Sequence, residues 1–202
     1  MDKLCRDYWH PIHAQFVIRG VDVETAKDLT QSFLSQIVTD GFLHRADPTR
    51  GRFRTFLLGA LNHFITSHWR VVYTEKRGGK EVHISTSELE EEIPEPVREG
   101  EFDREWAYTV LRQALDRTRT ETGEDSFATL KHFLPGGGAP PMAYETAAVI
   151  LGWPLGTVKS EVHRLRERLR DYIRQEVVRT VGSPAEIDEE MAYLHRILRA
   201  TG

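Results

Sequence analysis

The sequence predicts an all-α protein made of two small helical domains joined by an acidic flexible linker. Three observations carry that expectation. Apolar residues recur at helical spacing through most of the chain, few segments alternate as a strand would, and an acidic stretch poor in apolar residues separates two helical blocks. The 202 residues leave room for two modest cores, and a hydrophobic content of 40% is ordinary for a globular chain. No apolar run reaches the length needed to cross a bilayer. The leading MDKLCRDYWHPIH has neither the apolar core nor the small-residue cleavage site of a secretion signal. Cys5 is the single cysteine, which excludes an internal disulfide framework. A cytoplasmic protein with no membrane partner is the expectation.

The first block spans residues 1–79. Residues 4–19 place Tyr8, Trp9, Ile12, Phe16 and Val17 at helical spacing, with Pro11 expected to break the helix early. Asp22 stands where it can cap the next helix, whose apolar face is Ala26, Leu29, Phe33, Leu34, Ile37 and Val38. The stretch DGFLHRADPTRG reads as a loop by its Asp-Pro and Arg-Gly signals. A long helical pattern follows through Phe53, Phe56, Leu57, Ala60, Leu61, Phe64, Ile65 and Trp69, and Gly78-Gly79 ends it.

Residues 80–104 carry acidic runs, a Ser-Thr-Ser and the prolines Pro94 and Pro96, and read as an extended linker. Helical spacing resumes at Trp106, Val110, Leu111, Ala114 and Leu115, and again at Phe127, Leu130, Phe133 and Leu134. LPGGGAPP is a turn-rich loop. The second block is drawn at 105–182, followed by a helical extension at 183–202. Ser183-Pro184-Ala185-Glu186 has the form of a capping box with proline at the first helical position, and Ile187, Met191, Leu194, Ile197 and Leu198 form the face behind it.

The segment LGWPLGTVKSEVHRLRERLR has the offsets of a helix-turn-helix. Ala148 lets two helices cross closely, Gly152 takes the left-handed turn, Pro154 starts the second helix and Val158 anchors it. Thr157, Lys159, Ser160, His163 and Arg164 then fall on its exposed face, where such a helix meets base edges. Arg166, Arg168 and Arg170 suit phosphates. The bland alternative is an amphipathic surface helix whose Glu and Arg residues pair along it. Charge by segment favours the first reading. The chain totals 27 Lys+Arg against 31 Asp+Glu, a net −4, yet positive charge gathers at 50–80 and 159–179 and negative charge at 81–105.

The run MAYETAAVILGWPLGTVKSEVHRLRERLRDYI resembles the fourth domain of bacterial extracytoplasmic-function sigma factors of RNA polymerase. DLTQSFLSQIV followed by GRFRTFLLGALNHFITSHWR resembles their second domain, in the right order. The tail GSPAEIDEEMAYLHRIL is similar to a branch of that family with a short C-terminal extension. This resemblance implies an alternative sigma factor that binds core RNA polymerase and directs initiation at chosen promoters. It implies polymerase docking through Asp28, Leu29, Gln31, Phe33 and Leu34, although Leu29 and Phe33 also have core spacing. It implies recognition and opening of the minus-ten element by residues 52–77. There Arg54, Arg70, Lys76 and Arg77 would hold phosphates, Trp69 and Tyr73 would stack on bases, and Asn62, His63, Ser67 and His68 would be polar contacts. Phe53, Phe56 and Phe64 lie on the apolar stripe and read as core; Trp69 is open to either role. The helix-turn-helix would read the minus-35 element through Thr157, Lys159, Ser160, His163, Arg164, Arg166 and Arg168. Promoter DNA, core RNA polymerase, and an anti-sigma factor or regulatory kinase are the partners implied.

Two features depart from that pattern. Glu161 occupies a position that is often basic in such helices, and the loop of residues 135–141 is unusually rich in Gly and Pro. Glu88, Glu90, Glu91 and Glu92 fit either a nucleic-acid mimic or a solvated spacer. The tail is expected to pack its apolar face on the second block. No cofactor is implied and an enzyme is not expected. Gly136–Gly138 lacks the Gly-Lys-Ser/Thr of a phosphate loop, and Cys5, His10 and His13 are one ligand short of a metal site. The rivals are a stand-alone dimeric helix-turn-helix regulator and a polymerase-binding module without promoter reading.

Overall fold

The computed structural model describes residues 2–39, 53–76, 94–178, 181 and 184–200. Every regular element among them is a helix: α1 (Asp2–Ile18), α2 (Val23–Thr39), α3 (Phe53–Lys76), α4 (Glu99–Thr122), α5 (Glu124–Leu130), a 3-10 turn (Lys131–Phe133), α6 (Tyr144–Leu151), α7 (Leu155–Val178) and α8 (Glu186–Ala200). None of these helices is long and apolar enough to cross a membrane. The chain divides into two compact units, Met1–Trp106 and Ala107–Gly202, with the boundary inside α4.

In unit 1, α1 and α2 form a hairpin. Pro11 does not break α1, contrary to expectation; the helix runs through it. A proline inside a helix costs about 3 kcal/mol. Against that cost stand Tyr8, Ile12 and Phe16, all at most 2% exposed and spaced one turn apart, each contributing about 1.5–3 kcal/mol by burial. Gly20, at φ 79°, lets the chain reverse, and the Val21 N–H returns to the Phe16 carbonyl. Asp22 caps α2 as expected: its Oδ1 accepts from the Thr25 N–H at 3.1 Å. Leu57, Leu58, Leu61 and Ile65 of α3 complete the core with Ala26, Leu29, Phe33, Leu34 and Ile37.

The end of the expected linker is core structure instead. Val97, Phe102, Asp103 and Trp106 are all at most 4% exposed. The Asn62 side chain brackets Val97, accepting its N–H at 2.6 Å and donating to its carbonyl at 3.2 Å. Arg19 donates to the Glu95 carbonyl at 3.0 Å. Tyr8 stacks on Phe102 and meets Phe53 edge-on. The acidic composition misled because the carboxylates alternate with apolar residues: on α4, Phe102 and Trp106 are one turn apart and turn inward together. Residues 80–93 lie outside the described residues.

In unit 2, α5, α6 and α7 pack in succession, and α8 packs on α7. The core gathers Val110, Leu111 and Ala114 from α4, Phe127 and Leu130 from α5, and Val158, Val162, Leu165, Leu169 and Val177 from α7. Ile187 and Leu194 of α8 are buried, and Arg174 of α7 reaches Asp188 at 2.8 Å. The glycine-rich loop returns against α4. A Cβ on Gly136 would meet Leu111 Cδ2 at 2.4 Å, and with φ at 70° any other residue would add backbone strain to the displacement of that leucine.

Candidate nucleic-acid interface

The turn between α6 and α7 has the geometry its sequence demands. Gly152 adopts φ 66° and ψ 25°, the left-handed region, at the end of α6. The Trp153 N–H closes onto the Ala148 carbonyl at 3.1 Å and the Gly152 N–H onto the Val149 carbonyl at 3.3 Å. Pro154 supplies the first acceptor of α7, receiving the Thr157 and Val158 N–H groups at 2.9 and 3.1 Å. Val158 is completely buried. Turn, start and anchor are thus set by three residues within one short stretch.

Beyond that anchor, α7 presents a polar face. Thr157, Lys159, Ser160, His163, Arg164 and Arg166 are exposed, and Arg168 is half-buried. Several of these groups have partners within unit 2. The Lys159 ammonium lies 5.9 Å from the Tyr144 ring centre, and Tyr144 stacks on Phe133. Arg166 Nε donates to the Phe133 carbonyl at 3.0 Å, securing the end of the 3-10 turn. Glu161 receives Arg168 at 2.5 Å and Arg164 at 3.3 Å, and His163 Nε2 lies 3.3 Å from Glu167. The face therefore carries fewer uncommitted cations than its sequence implies.

In unit 1 the candidates separate into two groups. His63, Ser67 and Arg70 are exposed along α3, while Asn62, His68, Trp69 and Tyr73 are half-buried. His63 and Ser67, with Phe33, Phe64 and Ala60, border a hollow of about 100 Å³ between α2 and α3. His68 stacks on Phe64 and meets Trp69 edge-on. Phe64 itself touches Phe16 and Phe33, in keeping with its core reading. Lys76 closes α3, but its side chain and all of Arg77 fall outside the described residues.

Arg54 requires correction as a phosphate contact. Its guanidinium is buried, 2.9 Å from the Asp103 carboxylate and 3.9 Å above the Trp106 ring, with the side chains of the ion pair each 3% exposed. A charge so placed is matched internally and has no route to a DNA backbone. Asn62 is similarly committed to Val97. Of the docking candidates on α2, Asp28 and Gln31 are exposed, whereas Leu29, Phe33 and Leu34 are core residues with no surface to offer a partner.

Sequence reasoning did not find Asp103 as the partner of Arg54, because it sat among acidic residues that looked solvated. The one available signal was the Phe102–Trp106 spacing beside it. Nor did it find the Phe133 carbonyl as the partner of Arg166, a contact between a side chain and a backbone 33 positions away. Comparison with protein-family models, with curated proteins and with solved structures finds no match to this chain.

Proposed function

We propose that the chain is an alternative sigma factor, in which unit 1 docks on core RNA polymerase and unit 2 reads promoter DNA. The observation that carries this reading is the helix-turn-helix of unit 2. Its left-handed Gly152, buried Val158 and exposed Thr157, Lys159, Ser160, His163 and Arg164 give a helix whose N-terminal face is built to enter a major groove. In unit 1 the exposed Asp28 and Gln31 of α2 fit a polar docking surface, and His63, Ser67 and Arg70 of α3 fit contacts to a melted strand. Affinity for the promoter would come from polymerase and both units together, since neither polar face is strongly cationic.

The test is copurification with bacterial core RNA polymerase, followed by transcription from the promoter that the complex selects. Lys159→Ala with Arg164→Ala should lower that transcription at least about tenfold, the loss expected of two base or phosphate contacts, while polymerase binding stays intact. Loss of polymerase binding in the double variant would count against the division of labour. A second reading has one observation in its favour. Arg54 and Asn62 are occupied inside unit 1, which leaves fewer groups for strand opening and fits a helix-turn-helix regulator that binds duplex DNA alone. Tight, salt-sensitive duplex binding without polymerase would decide for it.

A further inference from the structure

The lysine and arginines of residues 155–170 in α7 lie on two flanks. Glu161, Arg164 and Arg168 follow at spacings of three and four and share one flank; Lys159, Arg166 and Arg170 fall on the other. On the second flank no carboxylate among the described residues is paired with these groups. Lys159 faces an aromatic ring, Arg166 donates to a neutral carbonyl, and Arg170 is exposed. On the first flank one carboxylate takes both guanidiniums. Glu161 Oε1 is 2.5 Å from Arg168 Nη2, and Oε2 is 3.3 Å from Arg164 Nη1. The Glu161 side chain is 20% exposed and that of Arg164 is 66% exposed, so the carboxylate is the sheltered member and the arginines reach back to it.

We propose that Glu161 acts as an internal substitute for phosphate, neutralising Arg164 and Arg168 until a nucleic-acid backbone displaces it. This rests on the reading of α7 as a DNA-facing helix. A carboxylate offers a guanidinium the same pair of acceptor oxygens that a phosphate does. With both oxygens occupied, Glu161 is not disposed to read a base; its effect falls on backbone binding, which is independent of sequence. Ion pairs as exposed as that of Arg164 are weak, so displacement is reversible. The residue therefore restrains binding of the chain to arbitrary DNA. Its two ion pairs assign Arg164, which the sequence placed with the base-edge residues, to the backbone with Arg168, and leave Thr157, Lys159 and Ser160 untouched.

The test is fluorescence anisotropy of the full chain on labelled duplexes of unrelated sequence, over a range of salt, for the wild type, Glu161→Gln and Lys159→Ala/Arg164→Ala. Glutamine keeps the shape and removes the charge. Glu161→Gln should bind every duplex more tightly, by about fivefold at about 0.15 M salt, with the log–log salt slope little changed, because the backbone displaces the carboxylate in the wild type and the same phosphates are neutralised in both. Unchanged affinity would overturn the proposal. So would a change confined to duplexes that differ at one base pair, which would make Glu161 a base contact. If Lys159→Ala/Arg164→Ala binds as the wild type does, or no chain binds at low salt, the DNA-facing reading of α7 fails and the role of Glu161 falls with it.

Discussion

At Arg54 a guanidinium lies against Asp103 and over the face of Trp106, in a setting where solvent reaches almost none of the three. Breaking such a pair from one side leaves the other charge buried without its partner. Arg54→Ala should therefore lower the unfolding free energy by about 3–5 kcal/mol, measured by urea denaturation. Replacing both members with apolar residues, Arg54→Met with Asp103→Leu, should be far milder. An equal loss in both would mean that the contact with Trp106, not the ion pair, is what matters. Glu176 illustrates the opposite balance. It is 8% exposed, and burial pushes its carboxyl above the ordinary value, with Arg117 pulling the other way more weakly. A carboxyl whose folded pKa is raised contributes its stability below the unfolded value of 4.5 and loses it as pH rises through the folded pKa. Glu176→Gln should thus melt at a higher temperature than the wild type at pH 7, and the difference should vanish as pH falls below that range. A gain that persisted in acid would show that the effect is not electrostatic.

Among the elements, the helix-turn-helix was the most legible and α4 the least. The turn depends on local rules: the left-handed glycine, the proline that follows and the inward valine all act within a few residues of one another. Gly152→Ala is expected to destabilise unit 2 by about 1–2 kcal/mol, the cost of a β-carbon in left-handed backbone, as read by thermal melting. Nothing lies within 4 Å of the added carbon, so the loss would be backbone strain alone, and Gly152→Asn should recover part of it. The start of α4 was misjudged because it depends on distant partners. The Val97 backbone is held by Asn62, 35 positions earlier, and Asp103 by Arg54, 49 positions earlier. The persistence of α1 through Pro11 has the same origin: local propensity opposed the helix, and packing of Tyr8, Ile12 and Phe16 prevailed.

At the scale of the whole molecule, the helical class, the apolar faces of α2 and α3 and the turn before α7 with its anchor Val158 were all determined by the sequence alone. Each follows from periodicity or from a residue's own backbone preference, and both act over one or two helical turns. Under the proposed function, the expected effect of Lys159→Ala/Arg164→Ala on transcription belongs to this scale too, because that proposal has two units acting on one template. Run-off transcription checks it. What only the tertiary structure decided is which charged groups remain available. Arg54, Asn62, Arg166 and Arg168 all looked like surface groups for nucleic acid, and each has an internal partner. Charge type and spacing can place a side chain on a face of a helix. Whether a carboxylate or carbonyl from elsewhere already occupies it depends on how the chain folds back, which no local pattern records.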